Sequence, residues 1–190
     1  MRPRVFRLTI TLRETQPPIW RRVLVPEDIT LPKLHTVIQI TMGWTNSHLH
    51  QFDHQGGIYG TPDPDYDSPI HSVKRVKLNQ LLHFPGELLV YEYDFGDSWE
   101  HEIRLDAIEP NREDVPVPSC VAGERRCPPE DCGGVHGFYE FLEAIGDRRH
   151  PEHKELLRWY GGPFDPDGFS VEAANRLLKR YQGRKRGVAT

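Results

Sequence analysis

Three short stretches hold most of the residues able to do chemistry. The first is YEYDFGDSWEHEI, residues 91–103. Read as a β-hairpin, it sets Asp94, Gly96 and Asp97 in the turn. Because alternate strand residues point to opposite sides, it also places Trp99, His101, Ile103 and Leu105 on one face. A histidine therefore sits on an apolar face near a carboxylate pair. Held by Asp94 or Asp97, the His101 ring suits a general base or a metal ligand. The same residues also fit a structural role, since turn aspartates satisfy backbone amides and core histidines are commonly hydrogen bonded.

The second stretch is HLHQFDH, in which His48, His50, Phe52 and His54 share a strand face. That spacing lets two imidazoles reach one ion, or builds an aromatic ladder. The third is CVAGERRCPPEDCGG, residues 120–134. As thiolates, Cys120, Cys127 and Cys132 wrap a tetrahedral Zn2+ if a fourth ligand comes from elsewhere, with His101 or a histidine of residues 48–54 the natural donor. Closed, such a site is structural; open, it activates water. Alternatively the stretch is a proline-stiffened loop whose cysteines pack as small hydrophobes, with Glu130 and Asp131 capping the helix that follows.

The elements that must position these residues follow from periodicity. VFRLTITL alternates Phe6, Leu8, Ile10 and Leu12 against Arg7, Thr9 and Thr11, a half-buried strand. PPIWRRVLV pairs with it antiparallel, setting Ile19, Val23 and Val25 against Trp20, Arg22 and Leu24. From Thr30 the period changes to helical, with Pro32 in the first turn, a stripe of Leu34, Val37, Ile38, Thr41 and Trp44, and a stop at Gly43. HLHQFDHQGGIYG returns to strand, VKLNQLL reads as a short strand, and residues 87–108 supply two long ones. Asp63, Asp65 and Asp67 imitate a calcium loop, but Ser68 and Lys74 stand where its Gly and Glu belong. The C-terminal third is helical: GFYEFLEAIGD, HPEHKELLRWYGG and SVEAANRLLKRYQG, the last capped by Ser170. One α+β domain over residues 1–182 results, a mixed or antiparallel sheet with helices packed on it. A basic, disordered tail occupies residues 183–190.

Composition narrows the function classes. The 190 residues carry 27% charged and 37% hydrophobic side chains, with no apolar run long enough to span a membrane and no signal-peptide core at the start. A cytoplasmic protein is expected. A net charge of −4 argues against a chain built to coat a polyanion. Any nucleic-acid contact falls to the basic end formed by Lys179, Arg180, Arg184, Lys185 and Arg186. P-loop, dinucleotide-binding, Gly-x-Ser-x-Gly and His-Glu-x-x-His signatures are absent.

Taken in order, PPIWRRVLVP, LPKLHTVIQITMGW, HLHQF, YEYDFGDSWEHEI, GERRCPPEDCGG, GFYEFL and FDPDGFS resemble the plasmid pRiA4b ORF-3-like family, from about Phe6 to Leu178. The resemblance implies a compact α+β roll and no particular activity. No recombinase site accompanies the resolvase label that some members carry, so that label is not transferred. Carried onto this sequence, the signature includes Trp20, His48, His50, Phe52, Tyr93, Asp94, Gly96, Asp97, Trp99, His101, Pro128, Pro129, Glu130, Asp131, Gly133 and Gly134. Its mixture of polar and aromatic types points to a shared polar site. The leading expectation is a non-catalytic binding or accessory module of mobile-element origin, carrying a structural zinc. In it the PPED loop folds over the hairpin to meet His101, and His48, His50, Tyr93, Trp99, Glu130 and Asp131 receive a protein or small-molecule partner. The alternatives are a metal-dependent hydrolase or nuclease using Asp94, Asp97 and His101, and a DNA-binding accessory protein using the basic end, which the acidic balance disfavours.

Overall fold

The computed structural model describes residues 3–62, 70–112 and 115–186. Among the described residues eight strands, β1 (Arg4–Leu12), β2 (Ile19–Pro26), β3 (His50–His54), β4 (Gly57–Gly60), β5 (His71–Ser72), β6 (Leu88–Tyr93), β7 (Trp99–Pro110) and β8 (Ser119–Glu124), form one open sheet in the order β5-β4-β3-β6-β7-β1-β2-β8. All neighbours are antiparallel except β4 and β5. The α-helices among the described residues are α1 (Leu31–Met42), α2 (Gly134–Gly146), α3 (His153–Tyr160) and α4 (Val171–Arg186). This is the α+β architecture expected from the sequence, and no helix among the described residues is long and apolar enough to cross a membrane.

Alternation decides which face is covered. Phe6, Leu8, Ile10 and Leu12 of β1, Val23 and Val25 of β2, Leu89 and Tyr91 of β6, and Ile103 and Leu105 of β7 are buried, as is the α1 stripe of Leu34, Val37 and Ile38. The opposite face carries polar pairs across strands, with Arg13 to Glu100 at 2.7 Å and Arg22 to Asp106 at 3.4 Å. The sheet is thus helix-covered on one side and solvated on the other. The free edge of β8 is closed by a side chain: Asn175 of α4 accepts from the Cys120 N–H at 2.8 Å and donates to its carbonyl at 2.7 Å. A single amide there supplies the two bonds a ninth strand would make.

Several expectations change. VKLNQLL contains a 3-10 turn over Leu78–Gln80, because the Gln80 side chain turns back to the Lys77 N–H at 2.7 Å and lets Leu78 and Leu82 both bury. Residues 119–124 form strand β8, where the sequence showed only a cysteine-bearing connection. Helix α4 runs on to Arg186, past the point where a tail was expected, since Arg and Lys continue a helix readily. Thr30 caps α1 without a side-chain bond. Asp63, Asp65, Asp67 and Ser68 of the rejected calcium loop and the last four residues lie outside the described residues.

Candidate functional site

At one end of the sheet three connections meet: the loop from α1 to β3, the turn between β6 and β7, and the loop from β8 to α2. Helix α1 places the first. His35 bonds Asn46 Oδ1 at 2.6 Å, and Gln39 Oε1 accepts the Asn46 N–H at 2.9 Å. The third is tied to the first two by Glu130. Its Oε1 accepts the Tyr93 hydroxyl at 2.5 Å and its Oε2 the Thr45 hydroxyl at 2.5 Å, while the Tyr93 oxygen accepts the Ser47 N–H at 2.9 Å. Burial, with the Glu130 bond second, pushes the Tyr93 pKa well above its ordinary value, so its proton stays on the phenol. Trp44 Nε1 adds a bond to the Pro128 carbonyl at 3.1 Å, and Asp97 accepts the Gly133 N–H at 3.3 Å. Gly134 has φ +68°, and a Cβ there would lie 2.7 Å from the Asp97 carbonyl oxygen, so this close approach requires glycine.

The result is a junction of His48, Asp94 and Asp131. His48 Nε2 stands 3.6 Å from Asp94 Oδ2 and 3.3 Å from Asp131 Oδ1. The three candidate ligand atoms lie within 4.8 Å of one another. Although buried as an atom, His48 Nε2 has no partner of hydrogen-bond geometry among the described residues. The other oxygen of Asp94 accepts the Gly96 N–H at 3.0 Å, which fixes the carboxylate with Oδ2 toward His48. Asp94 is 7% exposed, whereas the Asp131 side chain is open to solvent. Asn46, Asp94 and Asp131 all adopt positive φ, at 59°, 60° and 58°. Such backbone costs on the order of 1 kcal/mol each outside glycine and gathers where geometry is functionally constrained. One imidazole and two carboxylates form a donor set for a divalent cation of borderline to hard character, such as Zn2+ or Mn2+.

Of the residues singled out in the sequence, His48, Tyr93, Asp94, Glu130 and Asp131 come together here. Others do not. His101 is fully buried between its register partners Leu12 and Tyr91. Its Nδ1 lies 3.0 Å from the Trp99 carbonyl, its ring meets Trp44 edge-on, and burial lowers its pKa to about 4. It meets neither Asp94 nor a thiol-bound ion, so the histidine of the carboxylate site is His48. Asp97 anchors the Gly133 loop, and Trp99 belongs to the core. His50 stacks on His35 with ring centroids 3.5 Å apart, and burial with the His35 neighbour lowers its pKa to about 4. Among the described residues Cys120, Cys127, Cys132 and His101 do not converge as ligands of one ion. Cys120 is fixed in β8, and burial raises the Cys127 and Cys132 thiols to about 12. Glu130 and Asp131 do not cap α2, whose cap is Gly133. His35, Gln39 and Thr45 were not singled out. The signal for the first two was their i, i+4 spacing beside the apolar stripe of α1.

The model of the plasmid pRiA4b ORF-3-like protein family matches residues 4–173. An uncharacterized protein, y4hQ, of Sinorhizobium fredii is 42% identical over 159 residues, which is 83% of this chain and 81% of that one. The crystal structure of a protein of unknown function from Methanosarcina mazei Go1 is similar at TM-score 0.84 and 36% identity, covering 91% of this chain and 97% of that chain.

Proposed function

The chain belongs to the plasmid pRiA4b ORF-3-like family, and we propose that it is a divalent-cation-dependent binding module. The ion is held by His48, Asp94 and Asp131, and its remaining coordination positions take a polar group of a small-molecule or protein partner. The observation that carries this reading is His48 Nε2, buried, without a hydrogen bond and facing two carboxylate oxygens. A buried polar atom in that state is costly unless something absent from the protein's own atoms satisfies it. The plasmid in the family's description favours an accessory role carried by mobile elements, and three free cysteines suit the reducing cytoplasm.

Binding is favoured over catalysis because the neighbouring acid–base candidates are engaged. Glu130 accepts from Tyr93 and Thr45, Asp97 accepts from Gly133, and His101 is sealed in the core. A hydrolytic reading keeps one point in its favour: three protein ligands leave room for a bound water, as catalytic metal sites do.

Calorimetric titration with Zn2+ and with Mn2+ tests the proposal. One equivalent is expected to bind, with at least about a tenfold loss of affinity in each of His48→Ala and Asp94→Asn and none in Cys120→Ser/Cys132→Ser. Binding that survives in His48→Ala, or that disappears with the cysteines, sinks the proposed site.

A further inference from the structure

Between the carboxyl end of α1, the loop after β8 and helices α3 and α4 lies a cleft of about 960 Å3. Its walls include Arg21, Arg126, Trp44 and Trp159, with Glu130 and Asp131 at one end. Arg21 is only 1% exposed. Its guanidinium donates to four backbone carbonyls: Thr41 at 2.7 Å, Trp20 at 2.8 Å, Glu124 at 2.7 Å and Arg125 at 2.8 Å. It rests on the Phe169 ring at 3.8 Å, an approach that Gly123 permits, since a Cβ there would lie 2.6 Å from that ring.

Carbonyls satisfy the donors of a guanidinium but do not cancel its net charge, and burying an unpaired charge is expensive. The Thr41 carbonyl, at the end of α1, contributes the partial negative charge of a helix carboxyl terminus. No carboxylate pairs with Arg21 among the described residues. The acidic groups nearest in effect are the Cys127 and Cys120 thiols, which burial raises, Cys127 to about 12, so they are neutral at pH 7.

Arg126 lines the same cleft but is only half-buried. Its side chain donates to the Tyr160 hydroxyl at 3.2 Å and lies over the Phe164 ring at 5.5 Å, with no ion pair among the described residues. The amino end of α4, where Ser170 accepts the Ala173 N–H at 3.1 Å and donates to Glu172 at 2.8 Å, opens on the same space. The carboxylates that reach the cleft belong to its other end, Glu130 bound by Tyr93 and Thr45, Asp131 beside His48. The cleft is therefore polarised, with the Arg21 and Arg126 guanidinium groups on one side. Trp159 leaves 48% of its surface exposed along it.

We infer that this cleft binds a small organic anion with a flat aromatic body, its acid group on Arg126 with the buried Arg21 guanidinium behind that contact, and its ring lying against Trp159. The missing counter-charge for the two guanidinium groups is supplied by the ligand, and the exposed indole supplies an apolar surface for the ring. Neither arginine touches His48, Asp94 or Asp131, so the inference stands apart from the proposed cation site.

The test is calorimetric titration with 1-naphthoate and with 1-naphthamide, which has the same ring system and no charge, in the presence of EDTA. Naphthoate is expected to bind at least about tenfold more tightly than the amide. Arg126→Gln should abolish that preference without lowering the thermal midpoint, and Trp159→Ala should weaken both compounds alike. Equal affinity for the two compounds, unchanged naphthoate binding in Arg126→Gln, or no binding of either at millimolar concentration overturns the inference. Trp159→Ala binding both compounds as the parent does overturns its aromatic half.

Discussion

His48 and His101 differ little in sequence setting, each lying in a short histidine- and aromatic-rich stretch, yet the fold gives them opposite fates. His101 is on β7, where cross-strand partners on both sides fix its depth, and its Nδ1 is spent on the Trp99 carbonyl. His48 precedes β3 on a loop that α1 and Glu130 hold from outside, and its Nε2 faces carboxylates. A strand interior leaves a polar side chain no freedom, so titratable groups there become structural. A braced loop can present one to solvent, which is why binding residues concentrate on such segments. The same contrast separates Arg21 on β2 from Arg126 in the loop after β8.

Altering a strand-borne charge should have the largest effect. Arg21→Met leaves four carbonyls without their donor in a site sealed from water. It should lower stability by about 3 kcal/mol or more while cation binding by the folded fraction is unchanged. Urea unfolding measures the first and calorimetry the second. A loss below about 1 kcal/mol would mean that those carbonyls find other donors and that the strand interior is not closed.

His101 gives the next effect through pH. Its ring titrates near 4 in the fold and near the ordinary 6.5 when unfolded. Between those values the unfolded chain binds the extra proton. This contribution is therefore complete above about pH 6.5 and is lost as pH falls toward 4, by about 3 kcal/mol at most. His50, lowered in the same sense, adds to the slope. The urea midpoint should fall between pH 7 and 5, and His101→Phe, which keeps a ring of similar size, should flatten that fall. An unaltered slope in the variant would show that His101 is not the buried neutral ring described.

Much of this was legible in the sequence, and the illegible part has a physical cause. Two-residue alternation assigns Trp99, His101, Ile103 and Leu105 to one face, and all four are buried. The same parity places Arg21 with Ile19, Val23 and Val25, so the buried guanidinium was open to inference and lost only because arginine is rarely fully buried. The α1 stripe and the Ser170 cap followed from local rules. The meeting of His48, Asp94 and Asp131 did not. It depends on left-handed backbone at Asn46, Asp94 and Asp131 and on contacts such as Trp44 to Pro128, 84 residues apart. Cysteine spacing pointed to a metal loop because nothing in residues 119–124 alternates clearly. The strand there exists through its pairing with β2 and its Asn175 edge cover.

The finest test concerns the brace rather than the ligands. Glu130→Gln keeps length and shape but removes the charge that accepts both the Tyr93 and Thr45 hydroxyls. Partners one step removed from a metal typically change its affinity about tenfold, because they hold the ligands in register. A loss of that size, with stability altered by less than about 1 kcal/mol, is expected on titration with Mn2+. Unchanged affinity would place the burden on backbone alone: Asp131 at φ 58° would then be held by Gly133 and Gly134 against the Asp97 turn, with Glu130 tying down only its own loop. An effect as large as that of Asp94→Asn would mean that Glu130 itself reaches the ion, making the site richer in carboxylates and shifting its preference from Zn2+ toward Mn2+.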